Sequence, residues 1–279
     1  MPDTPSRMVS LTDTDLDFVV DEAGRGAMDT DRLKLLIEED EQFRAAILGD
    51  EKVFQRLTAD EEAFLRISPA LYFEVLLRQA LRDLETASYT VEREGRADLP
   101  VFDTQEVVRF LSIQGALDYL AHMLASFTRI NSYTVPVRIR RGIRRRVVYN
   151  DMDIDSLARH CATADREQRF GFYKRIADVC LFISGVFPDY ASPVVRYSVP
   201  NRMRATVSDR VRRSLEDYEA QGRQFYALAE ERSAAQPLGL PGVFRLLRDH
   251  FTTARKPLSF IASHYLHGSR NRLFGSPAA

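Results

Sequence analysis

The sequence predicts a mainly α-helical protein, a bundle-like single domain with one small inserted β-hairpin. Two patterns lead to this prediction. Apolar residues recur every three or four positions through most of the 279 residues, as they do on the buried face of a helix. Alternation of apolar and polar residues, which is typical of a strand, is confined to a segment near 133–149.

Capping signals predict where the longer helices begin. Ser68 before Pro69 starts one, because serine accepts a backbone hydrogen bond at the N-cap and proline suits the first helical position. Residues 88–102 are expected to form an exposed connection. Asp103 then starts a second long helix, which runs to about Phe127.

We predict four segments along the chain. Residues 1–12 form a flexible tail, and residues 13–66 form an acidic segment of short helices packed on the body. Residues 67–267 form the main helical domain with the hairpin, and residues 268–279 form a second flexible tail. Charge follows this division, since residues 1–66 hold 17 acidic and 8 basic side chains whereas the remainder holds 23 and 31.

Composition limits the class of protein. The hydrophobic and charged fractions of 45% and 28% are those of an ordinary globular protein. No apolar run approaches the ~20 residues that cross a bilayer, and no signal peptide is visible, so we expect a cytoplasmic protein that does not contact membranes. The 35 arginines against 4 lysines are typical of a GC-rich bacterial genome.

An arginine hairpin, residues 138–146, is the most distinctive segment of the chain. It holds six arginines in nine residues: Arg138, Arg140, Arg141, Arg144, Arg145 and Arg146. A three-residue loop ending at Gly142 would pair Ile139 with Ile143 on an apolar face. The same register sets Arg138 opposite Arg144 on the other face. Opposed like charges cost about 0.2–1 kcal/mol per pair, so we expect this face to meet solvent or anions.

Three interpretations of the arginine hairpin remain open. The hairpin could dock on the acidic segment of its own chain or simply be solvated. It could bind another protein with an acidic surface. It could also bind nucleic acid, because arginine pairs bidentately with phosphate, although the isoelectric point near 6.5 is low for such a protein.

Buried polar groups supply the remaining site candidates. Asp178 directly precedes an apolar run in the helix expected to be most buried, so it needs an arginine or backbone partner. An enzyme with a dispersed site near Asp178 is an alternative. Cys161 and Cys180 are expected to be core thiols, and His122 is expected to form a solvated pair with Asp118 on a helix surface.

Catalytic and cofactor signatures are not found in the sequence. His264 and His267 have a spacing compatible with a metal ion, but no carboxylate lies nearby in the sequence. Phosphate-binding loops, dinucleotide fingerprints and C-x-x-C pairs are missing. We therefore predict no catalytic residues, no metal and no cofactor.

Three segments carry a resemblance: Ile67–Leu77, Asp178–Pro188 and Gly222–Tyr226. They resemble pieces of uncharacterised all-helical bacterial proteins, over a span of about 27–266. The resemblance implies the fold class and neither an activity nor site residues.

Taken together, these features predict a non-enzymatic bacterial interaction protein, such as an adaptor, regulator or assembly subunit. Its partner is expected to be another protein, with nucleic acid at the arginine hairpin as the alternative. The sequence does not assign an oligomeric state.

Overall fold

The structure is a computed structural model, and it describes residues 10–23, 29–59, 63–94, 97–129, 132–140, 143–191 and 213–274. It is mainly α-helical and carries a small inserted β-hairpin, so the predicted fold class is confirmed. Among the described helices, none combines the length and apolar character that a bilayer crossing requires.

Helices dominate the first half of the chain. From residue 10 to residue 129 the elements are α1 (Asp13–Ala23), α2 (Thr30–Glu39), α3 (Glu41–Leu48), α4 (Glu51–Ala59), α5 (Ala63–Arg66), α6 (Pro69–Thr86), β1 (Thr90–Glu94), β2 (Ala97–Val101), α7 (Thr104–Leu111) and α8 (Ala116–Ser126).

The second half begins with the inserted hairpin. From residue 132 to residue 274 the elements are β3 (Ser132–Arg140), β4 (Ile143–Asn150), α9 (Ile154–Thr163), α10 (Arg169–Val186), a 3₁₀ turn (Pro188–Ala191), α11 (Leu215–Glu230), a second 3₁₀ turn (Ser233–Leu238), α12 (Leu240–Asp249), α13 (Phe251–His264) and α14 (Arg270–Phe274).

Backbone contacts divide the chain into two compact units. The described residues of the first unit fall within 1–92, 98–128 and 256–270. Those of the second fall within 93–97, 129–255 and 271–279. The predicted division into tails, acidic segment and main domain stays a prediction.

Helix α6 is the centre of the first unit. It packs against α3, α4, α7 and α8, and most of its residues are buried. The Ser68 hydroxyl accepts a hydrogen bond from the Leu71 N–H at 3.2 Å, so the predicted start of this helix is confirmed. The short helices α3 and α4 of the acidic segment therefore lie on α6, which provides the packing that isolated helices of this length lack.

Buried Asp15 joins the start of α1 to the start of α6. Its Oδ2 accepts a hydrogen bond from the Thr12 N–H at 2.8 Å, and its Oδ1 accepts one from the Ser68 N–H at 2.6 Å. The first N–H groups of a helix have no partner within the helix, and the helix dipole favours negative charge there. One carboxylate therefore satisfies backbone donors near two helix starts.

The single helix predicted from Asp103 to about Phe127 is wrong, because the structure has two helices there. A turn separates α7 from α8, and in it Gly115 has a φ of +83°. A residue with a side chain adopts such a φ only with strain, whereas glycine adopts it freely. The apolar spacing continues across this turn, and for that reason the sequence pattern did not show the break.

The connection predicted at 88–102 is also corrected, because it contains the strands β1 and β2. The base of this pair is fixed to the first unit. Thr90 Oγ1 donates a hydrogen bond to Asp103 Oδ1 at 2.6 Å, and Lys256 forms a salt bridge with Asp103. The sequence pattern missed the strands because neither has a regular apolar alternation.

Helix α10 is the centre of the second unit. Every residue from Ile176 to Val186 is buried, as the apolar run predicted, and the helix packs against α9 and α11. Phe274 of α14 contacts the ring of Phe182 with a centroid distance of 4.9 Å. Within the segment 268–279, Arg270–Phe274 are helical and end in a buried phenylalanine.

Gly222 allows close packing between α10 and α11. A Cβ atom at this position would lie 2.3 Å from Phe251 Cε2 and 3.1 Å from Cys180 Cβ. Phe251 has no exposed surface, so its ring has no free space to move into. The packing of α11 against Phe251 of α13 and against α10 therefore depends on the absence of a side chain at position 222.

We expect Gly222→Ala to lower the free energy of unfolding by about 1–3 kcal/mol, because the new methyl group overpacks the core. The change is measured by urea denaturation. Gly171→Ala is the matched control, since a Cβ on this α10 glycine would meet nothing within 4 Å. The control should be neutral or gain up to about 1 kcal/mol from helix propensity. Equal stability of the two variants would contradict the packing role.

Candidate functional site

The backbone register of β3 and β4 places arginines opposite each other. Arg138 pairs with Arg144, as the sequence predicted, and Val135 pairs with Val147. The predicted pairing of positions 138 and 144 is therefore confirmed for the backbone register.

The predicted pairing of Ile139 with Ile143 is wrong. Arg140 pairs with Ile143, and the register shifts between Arg138 and Arg140. A bulge of this kind sets two residues of one strand against one of its partner. The predicted pairing requires unbroken alternation along both strands, and a bulge interrupts it.

The six predicted partner-binding arginines differ in how far the structure describes them. Arg141 lies outside the described residues, as does Gly142 beside it. For the other five the structure gives the strand register: Arg138, Arg140, Arg144, Arg145 and Arg146. Binding of a partner or polyanion by this set stays a prediction.

Four exposed apolar side chains lie on or beside the other strand pair, within the segment that the sequence predicted to be an exposed connection. They are Tyr89, Val91, Leu99 and Phe102, whose exposed fractions are 49%, 47%, 41% and 80%. The rings of Tyr89 and Phe102 contact each other with a centroid distance of 6.2 Å. Alternating with them, Thr90 is buried and holds the base of the strand pair through Asp103. We call these four residues the β1–β2 apolar surface.

Asp178 is buried and paired on both of its carboxylate oxygens. Lys174 Nζ donates to Oδ2 at 2.7 Å, and the Tyr226 hydroxyl donates to Oδ1 at 2.9 Å. The sequence predicted an arginine or backbone partner for this carboxylate, and the structure shows a lysine and a tyrosine hydroxyl bound to it. Lys174 lies one turn before Asp178 on α10, and Tyr226 comes from α11. The pairing favours a structural role over the alternative of a dispersed catalytic site.

A second buried charge cluster joins α3 to α6, and the sequence analysis missed it. The Arg44 Nε–H donates to Glu74 Oε1 at 3.0 Å, and a second donor of the same guanidinium bonds Glu74 Oε2. Arg78 also donates to Glu74 Oε1, at 2.7 Å, and to Glu41 Oε1 at 3.1 Å. Glu74 has no exposed surface. The sequence does contain a sign of this cluster, because the charged Glu74 interrupts the apolar sequence between Phe73 and Val75.

These arginines keep Glu74 ionised. Burial acts to raise the pKa of Glu74, but the hydrogen bonds and charges of Arg44 and Arg78 outweigh it and lower the pKa. A bidentate arginine–carboxylate pair has the geometry that offsets the desolvation of both charges. The cluster therefore fixes the position of α3 on α6.

Asp118 is half-buried, so it is less solvated than the sequence predicted. Burial and the charges of Glu74 and Glu41 raise the pKa of Asp118, against the opposing charges of Arg78 and Arg44. His122, expected to share its helix face, is exposed as predicted. These neighbouring carboxylates could not be predicted from the sequence, because they come from α3 and α6.

The two cysteines are core thiols, as predicted. Cys161 and Cys180 are both buried and neither forms a disulfide. Burial raises the pKa of the Cys180 thiol to about 12, and it also raises the pKa of Cys161. Both side chains are therefore protonated at neutral pH, which makes them poor nucleophiles and poor metal ligands.

The part of the chain that the structure describes holds no group of three or more histidine, cysteine, aspartate or glutamate side chains that could bind a metal ion. His264 stacks on Phe260 with a centroid distance of 4.0 Å, and its Nδ1 lies 3.0 Å from the Phe260 carbonyl oxygen. Its ring is thus engaged within α13. His267 is exposed.

Comparison with known proteins gave no match: no family model, no curated protein and no solved structure is similar to this chain. The resemblance to all-helical bacterial proteins stays a prediction. The function is therefore inferred from the residues described above.

We expect Tyr226→Phe to lower the free energy of unfolding by about 1.5–3 kcal/mol, because it removes a buried hydrogen bond to the charged Asp178 and leaves the ring in place. Tyr89→Phe is the control, since Tyr89 is 49% exposed and its ring contact with Phe102 is kept. Chemical denaturation measures both. A Tyr226→Phe variant as stable as its parent would show that the hydroxyl contributes nothing to the fold.

Proposed function

We propose that this chain is a non-enzymatic interaction protein that acts through protein–protein contacts, as an adaptor, regulator or assembly subunit in the bacterial cytoplasm. The observation that carries the proposal is the β1–β2 apolar surface. Aromatic side chains are enriched among the residues that dominate protein interfaces, and exposed apolar surfaces mark such interfaces.

The energetics of Phe102 support this choice. Its side chain is 80% exposed, and burying a phenylalanine side chain in an interface contributes roughly 1.5–3 kcal/mol. Tyr89 extends the same surface and adds a hydroxyl, which suits a site that is apolar at its centre and polar at its rim. The hydrogen bond between Thr90 and Asp103 holds the base of the strand pair in place. The strand pair therefore loses little conformational entropy when a partner binds.

The buried charges support a structural interpretation of the interior. Asp178 and Glu74, the most deeply buried carboxylates of α10 and α6, both accept hydrogen bonds from cationic side chains. Catalytic carboxylates need a pKa matched to proton transfer. Lowering of the pKa of Glu74 by two arginines favours a permanently ionised, structural group instead.

The arginine hairpin provides a second contact in this proposal, toward an acidic protein surface. Nucleic acid is the second candidate partner. The register that sets Arg138 opposite Arg144 favours an anionic partner of either kind, because an anion relieves the repulsion between them. Docking on the acidic segment of the same chain is the third interpretation.

We expect Phe102→Ser to reduce the capture of a partner from lysate of the source cell by at least about tenfold, or to abolish it. The reason is that the substitution removes an aromatic side chain from the interface. Leu65→Ser is a closely matched control, since Leu65 is 81% exposed on α5. Quantitative mass spectrometry of the captured proteins is the measurement. A parent protein that captures nothing, or equal capture by both variants, would overturn the proposal for this surface.

We expect the double variant Arg144→Glu and Arg146→Glu to elute from heparin at lower salt than its parent if the hairpin binds polyanions, because phosphate-like contacts are salt-dependent. The double variant Arg159→Glu and Arg166→Glu is the charge-matched control, since both side chains are exposed in the same unit. Equal elution of the two variants would exclude the nucleic-acid candidate, and leave an acidic protein surface, the acidic segment of the same chain or solvent as what the arginine hairpin faces.

A further inference from the structure

The contacts of β1 and β2 fix the register of this strand pair. Each strand has five residues, and the connection between them is too short for a parallel crossover, so the strands are antiparallel. This geometry sets Tyr89 opposite Phe102 and Thr90 opposite Val101. Two contacts support it: the rings of Tyr89 and Phe102 meet with a centroid distance of 6.2 Å, and Thr90 Oγ1 donates a hydrogen bond to the Val101 carbonyl oxygen at 3.4 Å.

Pro100 of β2 indicates which backbone groups of the pair point outward. Proline has no N–H, so within a strand it suits a position whose nitrogen points away from the partner strand. The register sets Val91 of β1 opposite Pro100. Residues directly opposite each other in an antiparallel pair have the same orientation of their backbone groups. The N–H and C=O of Val91 therefore also point away from the partner strand.

The two outer edges of the pair differ in what they offer. Among the described residues the sheet has only these two strands, so each strand has an outer edge without a neighbouring strand. On β2, Pro100 leaves that edge without a donor at its position. On β1, Val91 presents both a donor and an acceptor. The edge of β1 is therefore the one that can take up a further strand.

The side chains along this edge determine which strand would fit it. Tyr89, Val91 and Phe102 share one face of the pair and are all exposed, whereas Thr90 on the opposite face is buried. A strand beside β1 would extend the exposed face with every second side chain. Apolar side chains at those positions would pack against Tyr89 and Val91.

The charge of the first unit gives a second property of the partner. Over its ranges 1–92, 98–128 and 256–270 the sequence has 25 acidic residues and 13 lysines and arginines. A protein with such an excess of negative charge attracts basic partners and speeds their association. Charge complementarity therefore favours lysine or arginine at the positions of the added strand that are not apolar.

We propose that the outer edge of β1 binds a basic, extended segment of a partner protein as a third strand. The segment alternates apolar and basic residues. Its backbone forms hydrogen bonds with the N–H and C=O of Val91, and its apolar side chains contact Tyr89 and Val91. This inference rests on the proposed function, because it names the kind of partner that the β1–β2 apolar surface binds.

The probe is a phage-displayed library of random linear peptides, selected on the full chain. Enriched peptides should alternate apolar and basic residues, and a synthetic copy of one should bind more weakly as salt is added. Val91→Pro should weaken the binding of this peptide at least about tenfold, because proline removes the outward N–H. Val91→Thr is the matched control, since threonine keeps the N–H and suits a strand. This control should bind the peptide as the parent does.

Two measurements keep the test independent of folding defects. Val91→Pro should keep the fold, because Pro100 already occupies the opposite position of the pair, and the urea midpoint checks this. In the parent, the Val91 amide should exchange its hydrogen several-fold more slowly when the peptide is bound. A contact made by side chains alone would not protect that amide.

The outcomes separate this inference from the proposed function. Peptide binding that is lost in Phe102→Ser but kept in Val91→Pro, or an unprotected Val91 amide, would overturn the added strand and leave the apolar surface as the contact. A selection that enriches no peptide, or acidic ones, would also overturn the proposal. A parent that dimerises in analytical ultracentrifugation, with Val91→Pro monomeric, would assign the edge to a second copy of this chain instead.

Discussion

The central helix of each unit carries a buried carboxylate that its neighbours must satisfy. On α6 this carboxylate is Glu74, and on α10 it is Asp178. A buried ionised carboxylate is stable only when cationic or hydroxyl groups bind it closely, so those groups must occupy fixed positions. Arg44 brings α3 to α6, and Tyr226 brings α11 to α10. These polar contacts orient the helices, whereas apolar burial drives them together.

The two centres differ in the groups that bind their carboxylates. Asp178 accepts hydrogen bonds from Lys174 and from the Tyr226 hydroxyl. Glu74 accepts them from Arg44 and Arg78, and Arg78 also contacts Glu41. Replacing either buried ion pair by apolar residues of similar volume would often be neutral for stability. Retention of charge at both places is consistent with a role in choosing one packing arrangement among several.

Apolar periodicity predicted most of the fold. The apolar run after Asp178 correctly placed α10 at the centre of its unit, and Ser68 with Pro69 marked the start of α6. The break at Gly115 escaped the prediction, because the apolar spacing passes through it without change. The β1–β2 strands escaped it because they lack regular alternation. Both failures have one cause: local backbone geometry leaves little trace in a pattern of apolar positions.

The candidate surfaces were predictable only in part. Six arginines in nine residues can be read directly from the sequence, and so can an opposed pair at 138 and 144. The exposure of Phe102 agrees with the exposed connection predicted at 88–102, but its ring contact with Tyr89 depends on the strand pair, which the sequence pattern did not show. The environment of Asp118 depends on acids 44 and 77 positions earlier in the chain, Glu74 and Glu41. Contacts of this kind arise only when the helices have packed.

The two core thiols can report local unfolding of the second unit. Alkylation requires the thiolate form and physical access, and burial denies both to Cys161 on α9 and Cys180 on α10. Modification by a thiol reagent would therefore track the fraction of molecules in which these helices have separated. The native sequence thus allows local unfolding of α9 and α10 to be followed without an added label.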